Sequence, residues 1–147
     1  MTVQNQYYRL LYHAVWATKM REPLIDGDLR PWLHRYLHDK VIEYGGTALA
    51  VGGTDDHVHI VFSVPPQYAP AAFIGRLKGS SSHWINHYQK PGGCFSWQGG
   101  YGAFTVADGI LHRLCGYVRN QEKHHREGTL IAVYEDMNRR IEAAAKQ

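Results

Sequence analysis

The chain has 147 residues, 44% of them hydrophobic and 20% charged, with a formal net charge of +3 when histidine is neutral. These figures exclude a disordered chain, and no stretch approaches the ~20 apolar residues of a membrane span. Cys94 and Cys115 form no CxxC pair or disulfide framework, and MTVQNQYYRL lacks a signal pattern, so a reducing cytoplasm is expected. A pI near 8.9 suits a polyanionic partner without demanding one. The ten histidines are the oddest feature of the composition.

YYRLLYHAVWAT (7–18) is apolar on both faces and predicts a central strand, with His13 as a core residue. In DGDLRPWLHRYLHDKVIEYGG, Leu33, Tyr36, Leu37, Val41 and Tyr44 recur at helical spacing. Asp28 suits the N-cap of that helix, Pro31 its first turn, and Gly45-Gly46 its end. TALAV (47–51) is a short strand. Gly52-Gly53 and Asp55-Asp56 make the turn that pairs it with HVHIVFSV as a hairpin, stopped by Pro65-Pro66.

A helix follows from Ala69 to about Tyr88, one face marked by Ile74, Leu77, Ser81, Trp84, Ile85 and Tyr88. KPGGCFSWQGGYGAFTV (90–106) reads as loop with one or two short strands. The next helix runs from Asp108 to about Glu127, with Leu111, Leu114, Cys115 and Val118 on one face. LIAVY (130–134) is either a strand or the start of a final helix in EDMNRRIEAAAKQ. No linker or repeat interrupts the chain, so residues 1–147 are expected to form one domain. Its class is α+β, an antiparallel sheet with helices packed on it.

The segment TDDHVHIVFSV carries two histidines separated by one valine. Residues two apart on a strand share a face, so His57, His59, Val61 and Ser63 lie opposite Val58, Ile60, Phe62 and Val64. The second set is wholly apolar and belongs under the helices. The histidines therefore project from the other face, their Cα atoms ~6.6 Å apart. Two ligands of one ion need donor atoms ~3 Å apart, which leaning imidazoles can reach. The pattern admits a half-site for a cation, and equally two hydrogen-bonded imidazoles on a half-buried face.

In the late helix, Tyr117 and Gln121 are i and i+4, one ~5.4 Å turn apart, on a stripe bordering the apolar face. A glutamine carbonyl suits Mg²⁺ or Mn²⁺. The bland alternative is a half-buried tyrosine beside a surface glutamine.

Taken in order, YHAVWATKMREP, DDHVHIVFSVPP, LKGSSSHWIN, WQGGYGAFTV and YVRNQEKHH resemble the small HUH-endonuclease transposases with a single catalytic tyrosine. These are of the IS-two-hundred-like insertion-sequence type, related to REP-associated tyrosine transposases. The resemblance spans most of the chain. It implies a ferredoxin-like or RRM-like antiparallel sheet, with helices on one face and the tyrosine-bearing helix towards the other. It implies Tyr117 as nucleophile and His57, His59 and Gln121 as ligands of Mg²⁺ or Mn²⁺. It further implies a homodimer, in whose best-known relatives the tyrosine helix acts on the other subunit's histidines. The expected substrate is single-stranded DNA with a hairpin, in a bacterial or archaeal cytoplasm near the nucleoid. A domesticated repeat-processing nuclease and a non-catalytic nucleic-acid-binding module on the same fold are the alternatives.

A covalent phosphotyrosine would conserve the energy of the cleaved bond for rejoining without ATP. Forming a phenolate at pH 7 from a tyrosine of pKa ≈ 10 costs roughly 4 kcal/mol, which a nearby cation offsets in part. Asp55 and Asp56 fit a tight turn, though one could orient an imidazole. His124 continues the Tyr117–Gln121 stripe at what reads as a solvated helix end. Arg119, Lys123 and Arg126 form a basic stripe, and Arg76 and Lys78 flank the serine run. All are candidate DNA-phosphate contacts or solvated charges. The WQGGYGAF aromatics stack on bases or pack a loop, and the cysteines read as small buried hydrophobes.

Overall fold

In the computed structural model, which describes residues 7–137, HVHIVFS becomes β3 (His57–Ser63) at the centre of a four-stranded sheet. The other elements are β1 (Leu11–Ala17), α1 (Leu29–Glu43), β2 (Thr47–Gly53), α2 (Pro70–Trp84), β4 (Gly102–Thr105), α3 (Leu111–Arg119) and α4 (Gln121–Glu127). Strand order is β2-β3-β1-β4, and every pair is antiparallel. The succession βαββαβ with this order is the ferredoxin-like arrangement, an α+β fold.

Alternation along β3 decides what covers each face. Val58, Ile60, Phe62 and Val64 pack with Ala14 and Trp16 of β1 against Leu33, Leu37 and Val41 of α1 and Phe73, Ile74 and Leu77 of α2. On the opposite face, Ala50 and Val61 meet Leu114, Cys115, Tyr117 and Val118 of α3. A one-residue slip of β3 would put both histidines into the α1/α2 core, so the apolar pattern fixes the site as well as the fold.

Several local expectations change. The strand starts at Leu11, leaving Tyr7 and Tyr8 outside it. Asp26, not Asp28, caps α1: its Oδ1 accepts the backbone N–H groups of Asp28 and Leu29 at 3.1 and 2.8 Å, and Asp28 is already helical. α2 widens into a π-type turn over Ile85–Gln89 that rotates Tyr88 off the buried face, so Tyr88 is 71% exposed. Ser81 is buried there because it accepts the Trp97 indole N–H at 2.9 Å. Cys94 is exposed, and only Cys115 matches the small buried hydrophobe expected.

The helix expected over 108–127 begins as a 3-10 turn (Asp108–Ile110) and breaks at Asn120 (φ −107, ψ 30), whose amide side chain donates to the Gly116 carbonyl at 2.7 Å. LIAVY forms neither strand nor α-helix; Ala132–Glu135 is a 3-10 turn. Most of the expected final helix lies outside the described residues.

Two glycines permit close approaches on the site face. A Cβ on Gly52 would stand 1.8 Å from the Val118 carbonyl oxygen, so α3 sits on β2 only because that position is bare. A Cβ on Gly102 would stand 2.1 Å from the Asp136 carbonyl oxygen, so β4 admits the 132–136 segment for the same reason.

Gly52→Ala should therefore lower stability by at least the ~1–3 kcal/mol of an overpacked core, since backbone must move. Gly116→Ala, in the middle of α3 with no atom near its added Cβ, should raise it by ~0.4–1 kcal/mol. Urea unfolding of the two variants checks both signs.

Candidate active site

β3 delivers His57 and His59 side by side with no solvent exposure, beneath α3 and α4. On one side each ring is tied by its Nδ1. His57 Nδ1 is 2.7 Å from Asp56 Oδ1 and 3.0 Å from Thr54 Oγ1. His59 Nδ1 is 2.8 Å from Nε2 of His13, which β1 places diagonally across the ladder. On the other side both Nε2 atoms open into one shared space. His57 Nε2 is 3.1 Å from Gln121 Oε1 and 3.4 Å from Glu135 Oε1. His59 Nε2 is 3.1 Å from Glu135 Oε2. Tyr117 donates its hydroxyl hydrogen to the same Oε2 at 2.7 Å and accepts the Ile131 N–H at 3.2 Å. His125 Nε2 is 3.2 Å from both Gln121 Oε1 and Glu135 Oε1.

A bound cation would set the tautomers. For Nε2 to offer a lone pair, Nδ1 must carry the proton and donate it, to Asp56 from His57 and to His13 from His59. His13 must then accept at Nε2 and hold its own proton on Nδ1. That atom is buried and has no hydrogen-bond partner among the described residues. His13 was expected in the core and is there, but it also holds a site histidine.

Charges follow burial and partners. Burial opposes a charge on His57, but the bonds to Asp56, Glu135 and Gln121 outweigh it and push its pKa up to about 9. Burial, together with the neighbouring His57 and His125, lowers His59 against the pull of Glu135. Burial and His59 press His13 down to about 3. Burial and the Glu135 bond raise the Tyr117 phenol to about 12, against the Ile131 N–H, which works the other way. Glu135 stays far below the usual carboxylate range, because bonds to His57 and His59 overcome its burial.

The donors suit a divalent cation. His57, His59 and Glu135 offer ligand atoms all within 4.8 Å of one another, and Gln121 adds an amide oxygen. Neighbouring donors on an ion with ~2.1 Å bonds lie ~3 Å apart, which is the spacing at His57–Gln121 and His59–Glu135. Two imidazoles with oxygen ligands fit Mn²⁺ or Mg²⁺.

The structure thus brings Tyr117, His57, His59 and Gln121 together within one chain. It leaves the other candidates elsewhere. Arg119, Lys123 and Arg126 line a separate cleft. The Arg76 guanidinium lies 3.8 Å from the Tyr44 ring centroid. Lys78 Nζ donates to the carbonyls of Gln98 and Gly100 at 2.8 Å each. Trp97 packs edge-on to Trp16 and Phe95. The His124 ring lies 4.7 Å from that of Tyr117 while its Nδ1 meets Thr129 Oγ1, so its neighbour His125 reaches the donors instead. Glu135 and His125 escape sequence reasoning: the first follows a segment without periodicity, and the second is one of two adjacent histidines at a helix end. His13 had a signal, an imidazole in a strand with two apolar faces.

Residues 6–121 match the family model described as IS200-like transposase. The ISDra2 transposase TnpA of Deinococcus radiodurans is 28% identical over 82% of this chain and 88% of its own length. The transposase of insertion sequence IS200 from Salmonella typhimurium is 27% identical over 83% of each. A crystal structure of a Deinococcus radiodurans protein assigned as a transposase superposes with TM-score 0.63 at 27% identity, covering 82% of this chain and 97% of that one. A REP-associated tyrosine transposase solved with a REP hairpin shares the fold, with TM-score 0.62 at 12% identity over 85% of this chain and 74% of that one. Among the described residues no helix is long and apolar enough to cross a membrane.

In chelator, stability should peak near pH 6.5. The His57 contribution is fully present below its ordinary 6.5 and is lost as pH rises through about 9, up to about 3 kcal/mol in all. On the acid side His13 and His34, held to about 3 and 4, must stay neutral while the unfolded chain binds protons, so each costs about 1.4 kcal/mol per pH unit below 6.5. Denaturation midpoints from pH 4 to 9.5 test this. Asp56→Asn should flatten only the alkaline limb, and an unchanged alkaline limb would reject the assignment of the charge to His57.

Proposed function

The chain belongs to the IS200-like transposase family, and on that premise we propose that it cleaves and rejoins single-stranded DNA at hairpin-bearing ends through a bond to Tyr117. One observation carries the reading. The phenol that would attack stands 2.7 Å from a carboxylate that also touches both buried imidazoles, so an anion already lies between nucleophile and donor cluster, where a scissile phosphate has to come.

Tyr117 Oη attacks phosphorus, the P–O3′ bond breaks, and the 5′-phosphate remains on the tyrosine. The phenol proton already points at Glu135 Oε2, which gives it a first acceptor. The Ile131 N–H holds Oη from the other side, restricting the ring for in-line approach. Attack by a 3′-hydroxyl on the phosphotyrosine reverses the step and needs no external energy. A divalent ion held by His57, His59 and Gln121, with Glu135 beside them, would neutralise charge on the scissile phosphate. Asp56 and His13 keep the two imidazoles oriented towards it.

The hairpin substrate is supported by the fold neighbour solved on a REP hairpin. Of the five basic candidates, Arg119, Lys123 and Arg126 line an open cleft that could take a DNA backbone, whereas Arg76 and Lys78 hold Tyr44 and the 98–100 loop. Tyr117 and the proposed donors all come from one protomer, which supports an active site formed in cis. A homodimer would then serve to hold two DNA ends rather than to assemble the chemistry.

Incubation with single-stranded DNA flanking its own gene should yield a covalent adduct that mass spectrometry maps to Tyr117. Tyr117→Phe should abolish the adduct and leave DNA affinity within about twofold. EDTA should reduce adduct formation by at least the ~10²-fold typical of a lost catalytic group, with recovery on adding Mn²⁺. A full-rate adduct in EDTA, or one on another residue, would overturn the assignment. Mixing Tyr117→Phe with His59→Ala should restore nothing; recovered cleavage would show that the site is shared between protomers.

A further inference from the structure

The largest cavity described is an open cleft of about 580 Å³ on the His57 side of the donor cluster. Its wall includes Arg30 and His34 of α1, Gly52 of β2, Arg119 at the end of α3, and Lys123 and Arg126 of α4. Four cationic side chains thus converge from three helices. The one carboxylate on the wall, Glu122, is ion-paired with Arg30. Arg119 is fixed by donating to the Leu49 carbonyl at 2.8 Å. Two nitrogens of the wall, Arg30 Nε and His34 Nε2, are buried without a hydrogen-bond partner among the described residues. Gly52 and Gly53 of β2 complete the wall, Gly52 packed beneath the Val118 carbonyl and Gly53 against the carbonyl of His57. The Thr54 N–H, next along from Gly53, donates to the carbonyl of His57, so the end of the cleft adjoins the first site histidine.

Tyr117 belongs to the other flank. Its ring lies near that of His59, and it lines a small hollow with Arg113, Leu114, Ile131 and Tyr134. In-line displacement puts the attacking and departing oxygens on opposite sides of phosphorus. A strand whose scissile phosphate meets Tyr117 from the His59 flank sends its departing oxygen towards the His57 flank, where the cleft opens.

We propose that this cleft binds the phosphates of the DNA segment that ends in the departing 3′-hydroxyl, and so retains that segment after cleavage. The proposal rests on the strand-transfer reading of Tyr117. As the Oη–P bond forms and P–O3′ breaks, the phenol gives up one proton and the 3′-oxygen takes one, so protons balance. The freed 3′-hydroxyl stays beside the phosphotyrosine because the cations hold the phosphates upstream of it. The cleft thereby serves rejoining more than cutting.

Two measurements separate this from the reading beneath it. In the Tyr117→Phe background, where no chemistry occurs, a fluorescein-labelled oligothymidylate is titrated at several salt concentrations. Lys123→Gln with Arg126→Gln should weaken binding about tenfold or more and reduce the salt slope by about 1.4, at ~0.7 for each phosphate contact on a single strand. An unchanged slope overturns the cleft whether or not the protein cuts DNA. Inorganic phosphate at millimolar concentration should leave the oligonucleotide bound; displacement at that concentration would mark a site for small anions only. With Tyr117 intact and the gene's own flanking DNA, the double variant should accumulate adduct while rejoining falls at least tenfold and the upstream fragment dissociates. Adduct and rejoining falling together, with the upstream fragment still retained, would overturn the assignment of the cleft to that segment. Absence of adduct in the unsubstituted protein would refute the strand-transfer reading and the segment's identity, leaving the salt titration to decide on the cleft itself.

Discussion

Two imidazoles without solvent contact must find partners for four ring nitrogens, and most of the site face answers that requirement. An unpaired buried polar atom costs roughly 1–3 kcal/mol, so the sheet tolerates His57 and His59 only with a full set of neighbours. Asp56 and His13 supply the inner partners, and Gln121, Glu135 and His125 the outer ones. The outer set comes from segments that reach the sheet only because Gly52 and Gly102 carry no side chain. Removing α4 and the 132–136 turn would strip both Nε2 atoms of their protein partners. Fold and site are therefore one packing problem on this face, whereas the α1/α2 face is built chiefly on an apolar cluster.

The sheet and its polarity were legible because period two and period 3.6 are strong signals. The run Val58, Ile60, Phe62, Val64 leaves one choice of buried face, and that choice aims the histidines. Tyr117 and Gln121 were legible as a pair because helical spacing keeps them on one stripe, and the break at Asn120 leaves the Gln121 carbonyl oxygen at His57. Glu135 was not legible. It sits on a 3-10 turn whose position depends on β4 being bare at Gly102, a tertiary fact with no local trace. His13 was legible as buried but not as a partner, since its contact with His59 requires knowing that β1 lies beside β3. Asp56 was weighed as a turn residue and as a brace for an imidazole. The structure lets it be both: a turn whose side chain folds back on the next residue costs nothing extra in backbone.

The basic residues show where spacing misleads. Arg119, Lys123 and Arg126 look like a solvated stripe on one helix, yet Arg30 from a helix ninety residues earlier closes the other side and turns the stripe into a cleft. Lys78 looks like a surface cation beside a serine run, yet its ammonium is occupied by two loop carbonyls, and its pKa is lowered by burial. Charge read along a chain gives the sign of a surface. Only the fold decides which charges face each other across open space and which are taken up in holding a loop.

The two flanks of the donor cluster are chemically unlike, and the difference has a direction. On the tyrosine side, burial and the bond to Glu135 hold the phenol protonated at neutral pH. A phenol in that state is a poor nucleophile, and it gains reactivity only when positive charge is brought close to its oxygen. On the His57 side, guanidinium and ammonium groups make a surface that attracts polyanions before any chemistry occurs. Binding and bond-breaking are thereby assigned to opposite walls of one narrow space, with the imidazoles between them. A polyanion drawn to the basic wall is led towards the imidazoles and, beyond them, the phenol. The carboxylate of Glu135 now stands on that path, in contact with Tyr117, His57 and His59.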